Sequence, residues 1–200
     1  MNQAASNPLD LAQRVKNQAI VPSSVAGMLI FVMAEAMFFA ALISAYTIVS
    51  AGVENWPPLD QPRLPVATTA FNSLALLLSG WTLFLANRRF IAQSSQANAI
   101  RNFLLATILL GSFFVLFQGF EWLRLIGYGL TITSSSYGSF FYLLIGTHAL
   151  HAVAALIVLF YVFFKLQNGR MTKEQFWAAQ VFWYFVVGVW PVLYILVYLN

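Results

Sequence analysis

Five long apolar segments constrain this chain more than any other feature of its sequence. They cover approximately residues 22–50, 65–87, 103–127, 137–164 and 175–199. Each reaches the roughly 20 residues that an α-helix needs to cross the hydrocarbon core of a bilayer. Because backbone polar groups in lipid must be bonded within their own segment, such segments fold as helices. The sequence therefore predicts an all-α, polytopic membrane protein with five transmembrane helices.

The overall composition supports this prediction. Hydrophobic residues make up 60% of the chain and charged residues only 8%, whereas soluble domains carry about 25% charged residues. The loops between the apolar segments are too short to build a soluble domain. We therefore expect a polar N-terminal segment, residues 1–21, followed by a single five-helix domain, residues 22–200. Cysteine is absent, which excludes disulfides and thiolate metal sites.

The basic residues predict the orientation of the helices. If the N-terminus is cytoplasmic, eight of the ten Lys and Arg residues lie on the inner side, and only Arg63 and Arg124 lie outside. This asymmetry follows the positive-inside rule, so we expect a cytoplasmic N-terminus and an outer C-terminus. Because the basic residues are distributed over short loops, they form no patch that would bind nucleic acid.

Glu35 is the most unusual residue, because it lies in the middle of the first apolar segment. Its helical neighbours at three and four positions are all apolar: Phe31, Val32, Phe38 and Phe39. A carboxylate in such surroundings costs several kcal/mol unless it is protonated, paired or hydrated. Two interpretations stay open, a protonated carboxyl hydrogen-bonded between helices and a carboxyl that takes part in proton transfer. Either one requires a partner from another helix.

His148 and His151 are the candidate partners. They are three residues apart, so they share one face of the fourth predicted helix at about the same depth as Glu35. A metal site would need a third or fourth ligand, and the sequence offers none beside this pair. We therefore expect no haem and no other metal site in this chain.

Two further polar positions lie towards the ends of the predicted helices. Glu121 and Arg124 are three residues apart near the end of the third helix, where we expect an outer-side ion pair. Lys165 lies at the cytoplasmic end of the fourth helix. A basic side chain at that level can hold the phosphate of a membrane lipid.

Several motifs, in order, resemble cytochrome c oxidase subunit III. They are Phe31-Val-Met-Ala-Glu-Ala-Met-Phe-Phe39, Trp56-Pro-Pro58, Asn72-Ser-Leu-Ala-Leu-Leu-Leu-Ser-Gly80, Gln118-Gly-Phe-Glu-Trp122, Ser136-Tyr-Gly-Ser-Phe-Phe141, Gly146-Thr-His-Ala-Leu-His151 and Phe182-Trp-Tyr-Phe-Val-Val-Gly-Val-Trp190. Together they cover nearly all of the chain from Pro22 onward. The resemblance is to the short bacterial form, which has five helices.

This resemblance implies a non-catalytic core subunit of a proton-pumping haem-copper oxidase in the plasma (inner) membrane of a bacterium. The partners would be oxidase subunits I and II, which carry the haem and copper, and cytochrome c or quinol would act on the complex rather than on this chain. Glu35 matches the family's buried, carbodiimide-reactive glutamate, and His151 matches the second His of its His-x-x-His segment. Lys165 falls where a lipid-binding arginine is usual. Phospholipid is thus an expected ligand, with Lys165, His151 and Trp56 as its contacts.

The last helix departs from the family. Its pattern Trp-His-Phe-Val-Asp-Val-Val-Trp is replaced here by Trp183-Tyr-Phe-Val-Val-Gly-Val-Trp190, which lacks the His and the Asp. Such a departure leaves two alternatives within the family, a quinol oxidase subunit and a subunit III-like protein that accompanies nitric oxide reductase. Outside the family, a small transporter or channel would need a line of polar residues along a helix face, and the sequence offers few.

Overall fold

The computed structural model describes residues 22–58, 61–92 and 97–199, and these fold into five α-helices. The helices are α1 (Ser23–Ala51), α2 (Val66–Ile91), α3 (Ala97–Gly127), α4 (Ser136–Gln167) and α5 (Lys173–Tyr198). All five are long and apolar enough to span a membrane. The predicted all-α class and the five candidate spans are thus confirmed. The predicted N-terminal segment, residues 1–21, lies outside the described residues.

Helices α2, α3 and α4 are longer than their apolar segments, and α2 and α3 show the reason. Helix α2 continues to Ile91, so Arg88 and Arg89 form part of its last turn, and α3 begins at Ala97 rather than near Phe103. Hydrophobicity marks only the part of a helix inside the hydrocarbon, whereas backbone hydrogen bonding continues through the interfacial layers.

Specific local residues end and begin α4 and α5. Ser135 and Thr172 cap the two N-termini, because their hydroxyls accept hydrogen bonds from the backbone N–H of Gly138 and Gln175. Gly169 ends α4 with a φ of 63°, a left-handed conformation that favours glycine. Gly169 thus lies in the gap between the last two apolar segments, residues 165–174.

Helices α2 to α5 pack closely around Trp183. The indole ring of Trp183 is fully buried and lies directly over Gly111 of α3. A Cβ atom at Gly111 would come within 2.5 Å of Trp183 Cη2, so only glycine fits there without movement of the ring. This close approach of α3 and α5 follows the general rule that small residues allow membrane helices to pack.

Helix α5 is also tied to α2 by a row of hydrogen bonds. The donors are side chains of α5, and the acceptors lie on α2: Gln180 to Asn87 at 3.3 Å, Trp183 to Ser79 at 3.1 Å, Trp190 to Ser73 at 2.7 Å and Tyr194 to the Val66 carbonyl at 3.1 Å. Val187 of α5 packs its methyl groups against Gly80 of α2. The helix runs without interruption through Pro191.

Helix α1 lies against α4 and α5 at the edge of this bundle. Of its 29 residues, only Val25, Phe39 and Tyr46 are buried. Its remaining surface is open, including the large side chains of Ile30, Met33 and Met37. The site described next lies where α1 meets α4.

Candidate functional site

The structure brings Glu35 and His151 into direct contact across the α1–α4 boundary. Glu35 Oε2 lies 3.0 Å from His151 Nε2, the distance of a hydrogen bond or a close ion pair. Both residues sit near the midpoint of their helices. Glu35 therefore has the partner from another helix that its position in the sequence requires.

The carbonyl of Thr147 fixes the orientation of the His151 ring. His151 Nδ1 lies 2.8 Å from this oxygen, and because a carbonyl only accepts hydrogen bonds, Nδ1 must carry a hydrogen. In a neutral ring, Nε2 is then an acceptor, so the hydrogen between the two side chains belongs to a Glu35 carboxylic acid. In a charged ring, the same hydrogen lies on Nε2 and Glu35 is a carboxylate. Both arrangements hold one shared proton and have no net charge.

Aromatic rings enclose the pair on the protein side. The ring centroids of Phe39, Phe185 and Phe182 lie 5.4, 6.2 and 6.4 Å from that of His151. These rings remove water from the protein side of the contact, which strengthens its electrostatic attraction. The other side is less closed, since 23% of the Glu35 side chain and 12% of the His151 side chain remain exposed. Glu35 is therefore partly buried rather than fully enclosed, because α1 packs on one side only.

His148, the other predicted partner, faces the interior of the bundle instead. It is fully buried between Phe114 and Trp190, whose ring centroids lie 6.4 and 5.1 Å from its own. Its Nε2 has no hydrogen-bond partner among the described residues, and Glu35 forms its ion-pair contact with His151 rather than with His148. The two histidines thus occupy different environments although they share a helix face.

Lys165 lies in the last turn of α4, far from this pair. Its Nζ donates a hydrogen bond to Gln175 Oε1 at 3.3 Å and stands 4.7 Å from the centroid of the Tyr161 ring. Fourteen residues of helix separate Lys165 from His151, which corresponds to about 21 Å. A lipid phosphate at Lys165 would therefore place an acyl chain, not a headgroup, beside His151.

Trp56 lies at the opposite end of the molecule. Its Nε1 donates a hydrogen bond to the Tyr46 hydroxyl at 3.0 Å, which in turn donates to the Leu196 carbonyl at 3.2 Å. Trp56 also packs edge-on against Tyr137, at the start of α4. From Tyr137 to Lys165 the helix spans about 42 Å. The three residues expected to contact lipid consequently do not form one headgroup site.

Glu121 and Arg124 lie close together near the end of α3, with 3.6 Å between Arg124 Nη1 and Glu121 Oε1. The carboxylate is almost completely buried, whereas half of the Arg124 side chain is exposed. Tyr198 and Gln118, which are hydrogen-bonded to each other at 3.1 Å, lie beside this end of α3. The pair is separate from the Glu35 site.

Within residues 22–58, 61–92 and 97–199, no group of three or more His, Cys, Asp or Glu residues could hold a metal ion. In the described part of the chain, Glu35 and His151 contact each other and do not belong to a larger set of metal ligands. What this arrangement can do chemically is hold a proton and exchange it between an oxygen and a nitrogen.

Three groups of this site are not indicated by the sequence. One is the Thr147 carbonyl, whose position four residues before His151 places it directly under the ring of a helical histidine. Phe182 and Phe185 come from α5, and no local pattern indicated that they would surround His151.

Comparisons with known proteins agree with the motifs. The family model described as cytochrome c oxidase subunit III matches residues 13–200. The "Probable cytochrome c oxidase subunit 3" of Mycobacterium leprae is 35% identical over 176 residues, covering 86% of this chain and 85% of the relative. The corresponding protein of Nocardia farcinica is 34% identical over 179 residues, and the subunit 3 of Corynebacterium diphtheriae is 33% identical over 178 residues, with the same coverage of both chains. The chain therefore belongs to the cytochrome c oxidase subunit III family, as a multi-pass membrane subunit of that enzyme complex.

Proposed function

We propose that this chain is a non-catalytic core subunit that supports proton uptake by the catalytic subunit of a haem-copper oxidase. In this proposal, subunit I and subunit II carry the haem and copper, and the chain itself provides the Glu35–His151 pair. The observation that carries the proposal is the 3.0 Å contact between Glu35 Oε2 and His151 Nε2. A pair that shares one proton can release it and take up another without moving a helix.

The geometry supports this role better than a purely structural one. A structural hydrogen bond would be strongest if fully enclosed, yet nearly a quarter of the Glu35 side chain remains accessible. The exposed part of the carboxyl faces away from this chain, and we propose that protons reach the pair there through the neighbouring catalytic subunit. The orientation of His151, fixed by Thr147, keeps Nε2 directed at the carboxyl in both protonation states.

The proposed orientation places the N-terminus in the bacterial cytoplasm. Lys165 then lies at the cytoplasmic surface, where its Nζ is held by a neutral amide, Gln175, rather than by a carboxylate. Among the described residues Lys165 has no carboxylate partner, and a cation at this level can bind a lipid phosphate, so we propose that Lys165 holds a phospholipid. Trp56 lies at the other surface and would contact a different lipid molecule.

The variant Glu35→Gln tests the proton-uptake role. Glutamine keeps the shape of the side chain and can still donate a hydrogen bond to His151 Nε2, but it cannot release a proton. We expect the variant complex to assemble normally and to show slower proton uptake, or faster inactivation during turnover. Stopped-flow proton-uptake measurements on the purified complex would detect this.

A matched control is Glu54→Gln, which makes the same chemical change at an exposed position three residues after the end of α1. It should leave proton uptake unchanged. Identical uptake rates and turnover stability in wild-type and Glu35→Gln complexes would reduce Glu35 to a structural hydrogen-bonding group.

The lipid assignment is tested with Lys165→Ala against Lys173→Ala, an exposed lysine eight residues further on. Mass spectrometry of lipids that co-purify with the complex should show one class of phospholipid lost from the Lys165 variant only. The same lipid content in both variants would remove the assignment without affecting the role of Glu35.

The electron donor of the complex is a separate question. The relatives described above are cytochrome c oxidase subunits, which favours cytochrome c over quinol. The partner subunits that co-purify with the chain, and the oxidation rates of reduced cytochrome c and of quinol by that complex, would decide between these donors.

A further inference from the structure

The polar contacts of α1 with the helices beside it lie on one line along α1. In the described part of the chain there are three: Ser24 with Glu174 at 3.3 Å, Glu35 with His151 at 3.0 Å and Tyr46 with the Leu196 carbonyl at 3.2 Å. The α1 members are each 11 residues apart, which is three turns plus about 20°, or about 16.5 Å. Helix α1 is therefore attached near its two ends and at its midpoint.

Apolar packing adds little between these contacts. Among residues 26–45 of α1, only Phe39 is buried. A Cβ atom built on Gly27 would meet no atom within 4 Å in the described part of the protein. Where close packing is sparse, the association of membrane helices depends on polar contacts. The middle of α1 is therefore held mainly by the contact of Glu35 with His151.

The number of protons on this pair decides whether the contact can exist. With one shared proton, a hydrogen bond joins Oε2 to Nε2. Without that proton, the neutral ring has one hydrogen and faces two acceptors, the Thr147 carbonyl at 2.8 Å and the Glu35 carboxylate at 3.0 Å. The ring can serve only one of them. When the hydrogen stays on Nδ1, the lone pair of Nε2 faces the carboxylate, and the two repel each other.

Charge favours separation in the same state. The pair is neutral with one shared proton and carries a net charge of −1 without it. Such a charge is costly within the hydrocarbon core, and it is relieved where water or a hydrogen-bond donor can reach the carboxylate. The exposed part of Glu35 offers this relief, whereas the rings of Phe39, Phe182 and Phe185 close the other side. The carboxylate is therefore drawn away from His151.

Other titratable groups of α1, α4 and α5 lie farther from the pair. On α4, the ring of His148 is on the other side of Phe39, with 6.4 Å between these two centroids. On α5, Tyr184 is exposed and points about 130° away from the side that carries Phe182 and Phe185. Tyr46 and Glu174 are at the levels of the two end contacts, and Lys165 is about 21 Å from His151 along α4. The proton content of the pair itself is therefore the local variable.

We propose that the Glu35–His151 contact is a proton-dependent switch for the position of α1. With a shared proton, the middle of α1 is held against α4. Loss of that proton releases the middle of α1, while the two end contacts keep the helix in place. Since a rise in pH removes the proton, the released form prevails at high pH. The switch depends only on the proton content of the pair, so it does not require the proton-uptake role.

Pulsed electron paramagnetic resonance on the purified oxidase complex tests this switch. This chain has no cysteine, so nitroxide labels are placed on Met37→Cys of α1 and Ile157→Cys of α4, whose native side chains are 74% and 64% exposed. A complex without these two cysteines gives the background from other subunits. As the pH rises, we expect the distance between the labels to increase by about 1–2 Å, the size of common helix shifts, with a wider distribution.

Three variants in the labelled complex assign the change to the pair. The amide of Glu35→Gln donates to His151 Nε2 without a removable proton, so the short distance should persist at every pH. Glu35→Ala removes the contact and should give the longer distance at every pH. Glu54→Gln, the matched control, should keep the pH response of the labelled parent.

A distance that stays constant with pH in the labelled parent would overturn the switch, and this measurement needs no variant at position 35. A pH response that persists in Glu35→Gln would also overturn it. Slower proton uptake in Glu35→Gln with a constant distance in the parent would overturn the switch alone. A pH-dependent distance with unchanged uptake would support the switch and remove the proton-uptake role.

Discussion

Helix α1 and the bundle of α2 to α5 are held in place by different means. In the apolar span of α1 only 6% of the residues are buried, whereas 33–44% are buried in the spans of the other four helices. The bundle is held by close packing around Trp183 and by the hydrogen bonds between α5 and α2. The polar contacts of α1 are few: Glu35 with His151, Tyr46 with Leu196 and Trp56, and Ser24 with Glu174.

This difference matters because lipid tails are as apolar as the helices themselves. Association within a membrane therefore depends on close packing and on polar contacts, more than on removal of apolar surface from water. Helix α1 has little close packing, so its position depends on the few polar contacts. The Glu35–His151 pair lies in the less tightly held part of the molecule, and changes there should affect function before they affect the bundle.

The largest effect is expected from Gly111→Ala, which tests whether close packing stabilises the bundle of α2 to α5. The new methyl group would overlap the Trp183 ring, and overpacking of this kind costs about 1–3 kcal/mol. Denaturant titration of the reconstituted protein should show this loss. Gly188→Ala, whose Cβ meets open space, should have no comparable effect. If both variants were equally stable, the close packing of α3 on α5 would not be what holds the bundle.

The next effect is expected from Tyr46→Phe near the C-terminal end of α1. Without the hydroxyl, Trp56 Nε1 and the Leu196 carbonyl both lose a partner, at a cost of about 1–2 kcal/mol. Loosening of α1 should follow, measured as faster cleavage of the 52–65 loop by protease. Tyr184→Phe, at an exposed position of α5, is the control. Unchanged protease resistance would mean that α1 does not depend on this contact.

A double-mutant cycle on Glu35→Ala and His151→Ala isolates the contact at the middle of α1. The coupling energy should be about 0.6–1.7 kcal/mol, the range measured for polar contacts between membrane helices. Additive effects on the unfolding free energy would contradict the direct contact. The proton-uptake defect should appear in each single variant, even though the coupling energy is modest.

The smallest effect is expected from the Trp190–Ser73 hydrogen bond within the bundle. A cycle on Trp190→Phe and Ser73→Ala should give a coupling energy of about 0.6 kcal/mol, because the surrounding packing remains. A coupling energy larger than that of Glu35 and His151 would contradict this expectation. It would mean that the bundle, rather than α1, depends more strongly on its polar contacts.

The sequence predicts the five helices well because hydrophobicity and length are local properties. It also predicts that Glu35 needs a partner from another helix and that the histidines lie at its depth. It does not decide between His148 and His151, which differ by only about 60° around α4. Which of them faces α1 depends on how the two helices cross, and that is set by packing along their whole length.

Other features of the structure could not be predicted from local sequence patterns, because they depend on residues far apart in the chain or on the membrane interface. The contact of Trp183 with Gly111 joins residues that are 72 positions apart. The aromatic rings around His151 come from α1 and α5 together. The extension of α2 to Ile91 and of α3 back to Ala97 follows from interfacial hydrogen bonding, which hydrophobicity does not report.

The ring orientation of His151 has a consequence for how the pair responds to voltage. Since Nδ1 keeps its hydrogen, a proton that moves between Glu35 and His151 shifts by less than the 3.0 Å between Oε2 and Nε2. One charge crossing a whole membrane of about 30 Å gains about 2.3 kcal/mol per 100 mV, so this shift gains at most about 0.2 kcal/mol. The membrane potential therefore hardly affects which of the two atoms holds the proton, and the local surroundings of the pair decide it.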